Sequence, residues 1–432
     1  MSVPVSAPNS GADSSANASP SPATATATAA AAAASRSLSG NASPRLLAGV
    51  RVLDLSRVLA GPWAGQMLAD YGAEVIKVER PGSGDDTRAW GPPWWGEGEA
   101  KVAAYFICAN RGKRSVVIDI ASAEGIAQVR ELARDADVLI ENYKVGQLAK
   151  YGLDAASLQA LNPKLIYCSI TGYGQSGPLS HKAGYDFAIQ AEAGLMSVTG
   201  EPGGEPQKVG VAVTDLMTGV YATTAILAAL YERERTGRGR VIDAALFDVQ
   251  VAMLANQASN QLIGHKTPTR MGNAHPNIVP YQVFATRDGH MVLAVGNDGQ
   301  FARFCEAARH PAVSNDISFS SNPARVAHRP TLVPLIAQWL LERDTADWVD
   351  LLDRAGVPCA PILDIGQVMA HPHVAARDMR LPCPDADSTP MIANPMLFDG
   401  LRPTADLPPP ALGQHAAAWM SRTRPTIPRS SR

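Results

Sequence analysis

From Leu46 onwards, short apolar runs alternate with stretches whose apolar positions recur every three or four residues, the pattern of strands and helices in turn. Val50–Leu55 reads as a strand, Pro62–Tyr71 as a helix with proline in its first turn, and Ala73–Glu79 as the next strand. Ser115–Ile120 predicts another strand and Ser122–Arg134 another helix, with further strands at Val138–Ile140 and Leu165–Ile170. Strands and helices alternating at this spacing predict an α/β fold with a mostly parallel, doubly wound sheet. Val220 to Leu230 is almost wholly apolar and runs into Tyr231-Glu232-Arg233-Glu234-Arg235-Thr236-Gly237, a helix with basic residues in its last turn and a glycine stop. Arg240–Leu246 follows as a strand and Phe247–Ile263 as one long helix.

The texture changes after residue 264. Tyr281–Thr286 and His290–Val295 read as two strands joined through Asp288-Gly289, a tight-turn signal. These patterns predict a large α/β domain over 45–264, a smaller α+β domain over 265–345, and a C-terminal segment, 346–432, returning over the large domain. Residues 1–44 are mostly Ala, Ser, Thr and Pro with few charges. Such a segment buries too little apolar surface to offset its ordering entropy, so a disordered low-complexity extension is expected there.

Composition narrows the function classes. The chain has 432 residues, 46% hydrophobic and 18% charged, as ordinary soluble globular proteins do. A net charge of -2 lacks the basic excess of a nucleic-acid binder. The apolar run from Val220 to Leu230 is short for a bilayer, so no membrane partner is expected. Cys108, Cys168, Cys305, Cys359 and Cys383 are scattered and form no CxxC, which suits a reducing cytoplasm and argues against a zinc or disulfide framework. The histidines show no metal-like spacing either, so no metal site is expected.

One acid stands out: Asp215, in Val213-Thr214-Asp215 at the start of the apolar helix. Thr214 suits the cap position, which puts Asp215 in the first turn. Free N–H groups and the helix dipole there favour an ionised carboxylate. Such a carboxylate is a nucleophile towards an activated acyl group. The position equally suits an acid that only stabilises its helix.

Several blocks together resemble the class III CoA-transferases, the family of formyl-CoA, carnitine and related CoA-transferases. They are Asp54-Leu55-Ser56-Arg57-Val58-Leu59-Ala60-Gly61-Pro62, Gly72-Ala73-Glu74-Val75-Ile76-Lys77-Val78-Glu79-Arg80-Pro81-Gly82-Ser83-Gly84-Asp85, and Asn110-Arg111-Gly112-Lys113-Arg114-Ser115. Glu141-Asn142-Tyr143, Thr171-Gly172-Tyr173-Gly174-Gln175-Ser176-Gly177-Pro178, Gly184-Tyr185-Asp186, the Asp215 segment and Thr236-Gly237-Arg238-Gly239 continue the series. In detail the chain is most similar to the succinyl-CoA:glutarate (dicarboxylate) CoA-transferases, through Ser169–Gln175, Ala183–Asp186 and Ile278–Gln282.

The resemblance implies a Rossmann-like large domain, an interlocked homodimer, and an active site where large and small domains meet. It implies that Asp215 attacks a thioester, forming an aspartyl anhydride and then an aspartyl-CoA, and that coenzyme A is a substrate with no tightly bound cofactor. By the same resemblance Leu59 and Ala60 belong to the CoA-binding set: Ala60 matches a CoA-contact position, and Leu59 replaces a glutamine of formyl-CoA transferase, which implies a different acyl pocket. Arg80 meets the phosphates, Ile118, Asp119, Ile120 and Ala121 lie at the adenine, and Asn142 and Tyr143 run along the cofactor. Lys150 stands where relatives carry Arg, and Tyr185 and Asp186 line the acyl and pantetheine end. Arg270 and Gly272 mark the family's lid loop, poorer in glycine here. For the far carboxylate of a dicarboxylate, Arg57, Arg270 and His275 are candidates, although Arg57 equally suits a structural pair with Asp54. Surface solvation is the alternative for Arg80, Lys113 and Arg114.

Two rival enzyme classes share parts of this pattern. An α-methylacyl-CoA racemase of the same fold needs a histidine where this chain has Tyr185, a poor base at neutral pH. A dinucleotide-dependent oxidoreductase needs GxGxxG after the first strand, which is missing. A non-catalytic CoA-binding relative is a third reading, against which the retained Asp215 stands.

Overall fold

The computed structural model describes residues 43–98, 101–381 and 388–415; the expected extension over 1–44 falls almost wholly outside them. Six parallel strands make the main sheet: β1 (Arg51–Asp54), β2 (Glu74–Glu79), β3 (Lys113–Val117), β4 (Val138–Glu141), β5 (Ile166–Thr171) and β6 (Val241–Ala245). Their spatial order is β3-β2-β1-β4-β5-β6, the order of doubly wound nucleotide-binding sheets. The chain reverses direction across the sheet between β1 and β4, where Val52 pairs with Val75 on one side and Val138 on the other.

The helices that accompany the sheet include α1 (Ala60–Asp70), α2 (Ala123–Asp135), α3 (Ala155–Leu161), α4 (Asp186–Glu192), α5 (Val213–Thr236), α6 (Leu246–Met253) and α7 (Ala255–Gly264). Because strand side chains alternate, Val52 faces α1 and α5, packing with Ala64, Leu68, Ala222 and Ile226. Its neighbour Leu53 faces α2 and α3, with Val129, Ala133 and Leu158. Each such fully buried Leu, Ile or Val is worth about 1.5–3 kcal/mol. At the α1–α5 crossing, a Cβ on Gly219 would sit 2.7 Å from the Ala60 carbonyl, so glycine permits this approach.

Two expected helices differ in extent. α1 begins at Ala60 rather than Pro62. The expected helix over 247–263 is split in two, because Ala255 adopts a left-handed φ of 42°. Helix α5 runs 24 residues, beyond its most apolar stretch, and by length and composition is long enough to cross a bilayer. Half of its most apolar window is buried within this chain.

A second core lies beyond residue 278. The antiparallel strands β7 (Tyr281–Ala285), β8 (His290–Ala294) and β9 (Cys359–Pro361) pack with helices α8 (Asp298–Ala307), α9 (Arg329–Leu340) and α10 (Thr345–Arg354). Helix α10 and β9 thus extend this core past residue 345. Further along, Asn394 bonds Asp70 and Gly413 bonds Ser115, so this later stretch lies against the main sheet. Arg325, fully buried, ties the second core together through the carbonyls of Val279 and Phe319 and the carboxylate of Asp298.

Candidate active site

The loops leaving β1, β4 and β5 all open on the side of the sheet where the strands end, the place where sheets of this order bind ligands. Beneath them lies a buried charge lattice. Lys113 Nζ donates to Asp54 at 2.9 Å, to the Pro62 carbonyl at 2.8 Å and to Asn110 at 2.9 Å. Lys77 pairs with Asp85 at 2.8 Å and donates to the Ser56 carbonyl at 2.8 Å. Asp54 therefore pairs with Lys113 and not with Arg57, and Lys113 is an interior residue, not a solvated one. Burial pulls the Lys113 amine down to about 8, against the attraction of Asp54. Asp85 is held down at about 2, because Lys77 outweighs the cost of burial.

This lattice fixes the loop after β1. Asn142 accepts from Arg57 N–H at 2.9 Å and returns a bond to the Arg57 carbonyl at 2.7 Å, while Asp85 accepts from Val58 N–H at 3.3 Å. Clamped on both sides, Val58 takes a φ of 72°, which a β-branched residue adopts only under constraint.

Two adjoining clefts sit above. One, about 220 Å³, is lined by Arg57, Leu59, Ala60, Asn142, Tyr143, Gly172, Tyr185, Leu246 and Asp215 among others. The second, about 240 Å³, is lined by Arg80, Gly84, Ile120, Ala121 and Tyr151, and shares Arg57, Tyr143 and Gln147 with the first.

Asp215 lies in the first turn of α5, but Thr214 is not its cap. The Thr214 hydroxyl donates instead to buried Gln250 at 2.6 Å. The helix start is capped from elsewhere: Asp186, opening α4, accepts from Thr214 N–H at 2.8 Å and from Asp215 N–H at 3.3 Å. Gln190 steadies Asp186 by donating at 2.7 Å. Burial, and then the negative charge of Asp186, push the Asp215 carboxyl up to about 7. The expectation of a carboxylate kept ionised by its helix is thus overturned, since Asp186 already holds N–H groups of the first turn. Tyr105 is pushed up to about 12, by burial and then by the charges of Asp215, Cys108 and Asp186. Two glycines bring α4 to this spot: a Cβ on Gly172 would meet Gly184 Cα at 2.6 Å, so β5 and the segment before Tyr185 touch backbone to backbone.

Other expected residues fall elsewhere. Ile118 is buried in the core with Leu53 and Val78, and Asp119 is exposed, accepting from Ala121 N–H. Lys150 is exposed and lines neither cleft, whereas its neighbours Gln147 and Tyr151 do. Arg270 donates to the Gly204 carbonyl and Gly272 to Gly200, which packs their loop on residues 200–204 and outside both clefts. His275 packs against Tyr281 with the rings tilted at 59°, and Arg329 is bonded to its carbonyl. Lys144, His181 and Lys182 line the Asp215 cleft without having been expected there; they sit in irregular loops, where sequence periodicity carries no signal.

A model of the CoA-transferase family III matches residues 47–416. The chain belongs to this family. The succinate–glutarate CoA-transferase of Agrobacterium fabrum is 52% identical over 375 residues, covering 86% of this chain and 94% of the relative. The succinyl-CoA:glutarate CoA-transferase of Mus musculus is 44% identical over 377 residues, covering 86% and 85%. Among solved structures, a CAIB/BAIF family protein from Brucella suis superposes with a TM-score of 0.77 at 47% identity, covering 87% of this chain and 98% of that one. The mixed α/β fold and parallel central sheet are those of the family, and the chain is a CoA-transferase acting on CoA thioesters.

Proposed function

We propose that this enzyme moves CoA from succinyl-CoA to a dicarboxylate such as glutarate, with Asp215 carrying the activated acyl group between them. The observation that carries the reading is Asp215 itself: a carboxyl at a helix start, opening on a cleft at the strand ends, beside a second acid. The identity to relatives named for succinate and glutarate supports the substrate pair.

The chemistry follows from the group. The ionised Asp215 oxygen attacks the succinyl thioester carbonyl, and CoA leaves as thiolate, giving a succinyl-aspartyl anhydride. The thiolate attacks the Asp215 carbonyl carbon, succinate departs, and an aspartyl-CoA thioester remains. A glutarate carboxylate attacks this thioester, re-forming an anhydride with release of thiolate. The thiolate then takes the glutaryl carbonyl and frees Asp215. Donor, acceptor and carrier are all carboxylates, so each step is close to balanced in energy. Leu59 and Ala60, at the start of α1, border the acyl end, and Arg80 with Ile120 and Ala121 border the nucleotide end. Arg57, held by Asp86 beside Arg80, goes with the cations of the nucleotide end rather than with the acceptor's far carboxylate. Exposed apolar residues such as Tyr231, Leu262 and Ile263 support an interlocked homodimer.

Replacing Asp215 with Ala should leave folding and CoA binding intact and lower acyl exchange by at least about a thousandfold. Activity within tenfold of the unsubstituted enzyme refutes the assignment. Hydroxylamine trapping during turnover with succinyl-CoA should mark Asp215, and a panel of glutarate, malate, citramalate and oxalate ranks the acceptors.

A further inference from the structure

One acid joins the two clefts. The Asp86 carboxylate pairs with Arg57 at 3.0 Å and, through a second short contact, with Arg80. A single negative charge therefore bridges two guanidiniums, both of which line the cleft assigned to the nucleotide end. Its neighbour Asp85 has the structural role: buried, it accepts from Thr87 N–H to cap the short turn Asp86–Ala89 and pairs with Lys77. Among the described residues, the Asp86 carboxylate is bonded to the two arginines alone, and it is 32% exposed. Each arginine also has a neutral support. Arg80 Nε donates to Ser83 Oγ at 2.7 Å, and the Arg57 guanidinium lies 5.5 Å from the centre of the Tyr143 ring. Arg57 Nε is buried and has no hydrogen-bond partner among the described residues, so this guanidinium has donor capacity left over.

We propose that Asp86 is an internal stand-in for the phosphates of the CoA thioester, holding Arg57 and Arg80 until a phosphate competes for them and thereby setting the affinity for CoA. The proposal rests on the reading that the phosphates pass Arg80. Half-exposed ion pairs of this kind are weak, so a phosphate bearing a larger charge displaces the carboxylate. Ser83 and Tyr143 keep the arginines in place once Asp86 lets go. Loss of the carboxylate therefore removes a competitor and a repulsive charge without removing the phosphate site.

The test is the CoA dissociation constant, measured by calorimetry for Asp86→Asn and, as a second replacement of the same sign, Asp86→Ala. Both should bind CoA about tenfold more tightly at low ionic strength, with the gain shrinking at high salt. Pantetheine, which lacks phosphates, should bind as before. An unchanged or weaker affinity for CoA overturns the proposal and makes Asp86 a positioning residue for the arginines. Arg80→Ala separates the two levels: if it leaves CoA binding unaltered, the phosphate path itself is wrong and the proposal falls with it. If Arg80→Ala weakens CoA while Asp86→Asn fails to tighten it, only the stand-in is lost.

Discussion

Replacing Asp215 with Asn should stabilise the protein at alkaline pH and leave it unchanged in acid. In the unfolded chain this carboxyl titrates near 3.8, and in the folded chain near 7. Between those values the folded state holds the proton more tightly, so the group's contribution to stability is full below about pH 4 and is lost as pH rises through about 7. Three pH units correspond to a ceiling of about 4 kcal/mol. One face of Asp215 lies on the open cleft, and solvent screening there roughly halves the figure, to about 2 kcal/mol. Asn has nearly the same shape and no charge to desolvate, so it escapes this cost. With an unfolding entropy of about 2 cal/mol/K per residue, a chain of this length should gain about 2 °C in melting temperature at pH 8 and close to nothing at about pH 4. Scanning calorimetry of both proteins across that range is the assay, with exchange activity lost at every pH. A gain of equal size at both ends, or none at pH 8, refutes the view that Asp215 is held against its own charge.

Other perturbations test the supports. Gly219→Ala places a methyl 2.7 Å from the Ala60 carbonyl, so it should push α1 from α5, cost roughly 1–3 kcal/mol in chemical denaturation, and lower exchange through displaced Leu59 and Ala60. Asp85→Asn leaves the buried Lys77 ammonium without its main partner and should cost about 3–5 kcal/mol, most visible as a lowered denaturation midpoint. Arg80→Ala should raise KM for the CoA donor far more than it changes kcat, which steady-state kinetics on succinyl-CoA reads directly.

Local periodicity made the framework legible. The alternation in Val52 and Leu53 reports a strand covered on both faces, and the apolar run after Asp215 reports a packed helix with an acid at its head. What stayed hidden depends on pairs distant along the chain. Lys77, between two apolar neighbours, has the look of a solvent-facing strand residue, and Asp85 and Ser56, folded over it, with the charges of Asp54 and Glu79, make its burial tolerable. Asp186 caps a helix that begins 27 residues later, and no local rule links the two. Ile118 matches a cofactor position by alignment of blocks, yet its side chain points to the core because strand alternation leaves it there. The break at Ala255 has no compositional mark, since alanine favours an unbroken helix.

The contact between Gly172 and Gly184 reaches further than its size suggests. It helps set how near Asp186 comes to Asp215, whose carboxyl is pushed up by burial and then by that neighbouring charge. The titration of this carboxyl is therefore written partly in main-chain spacing. An enzyme retuned to more acidic surroundings could keep both carboxylates and simply let that seam open by the width of a methyl.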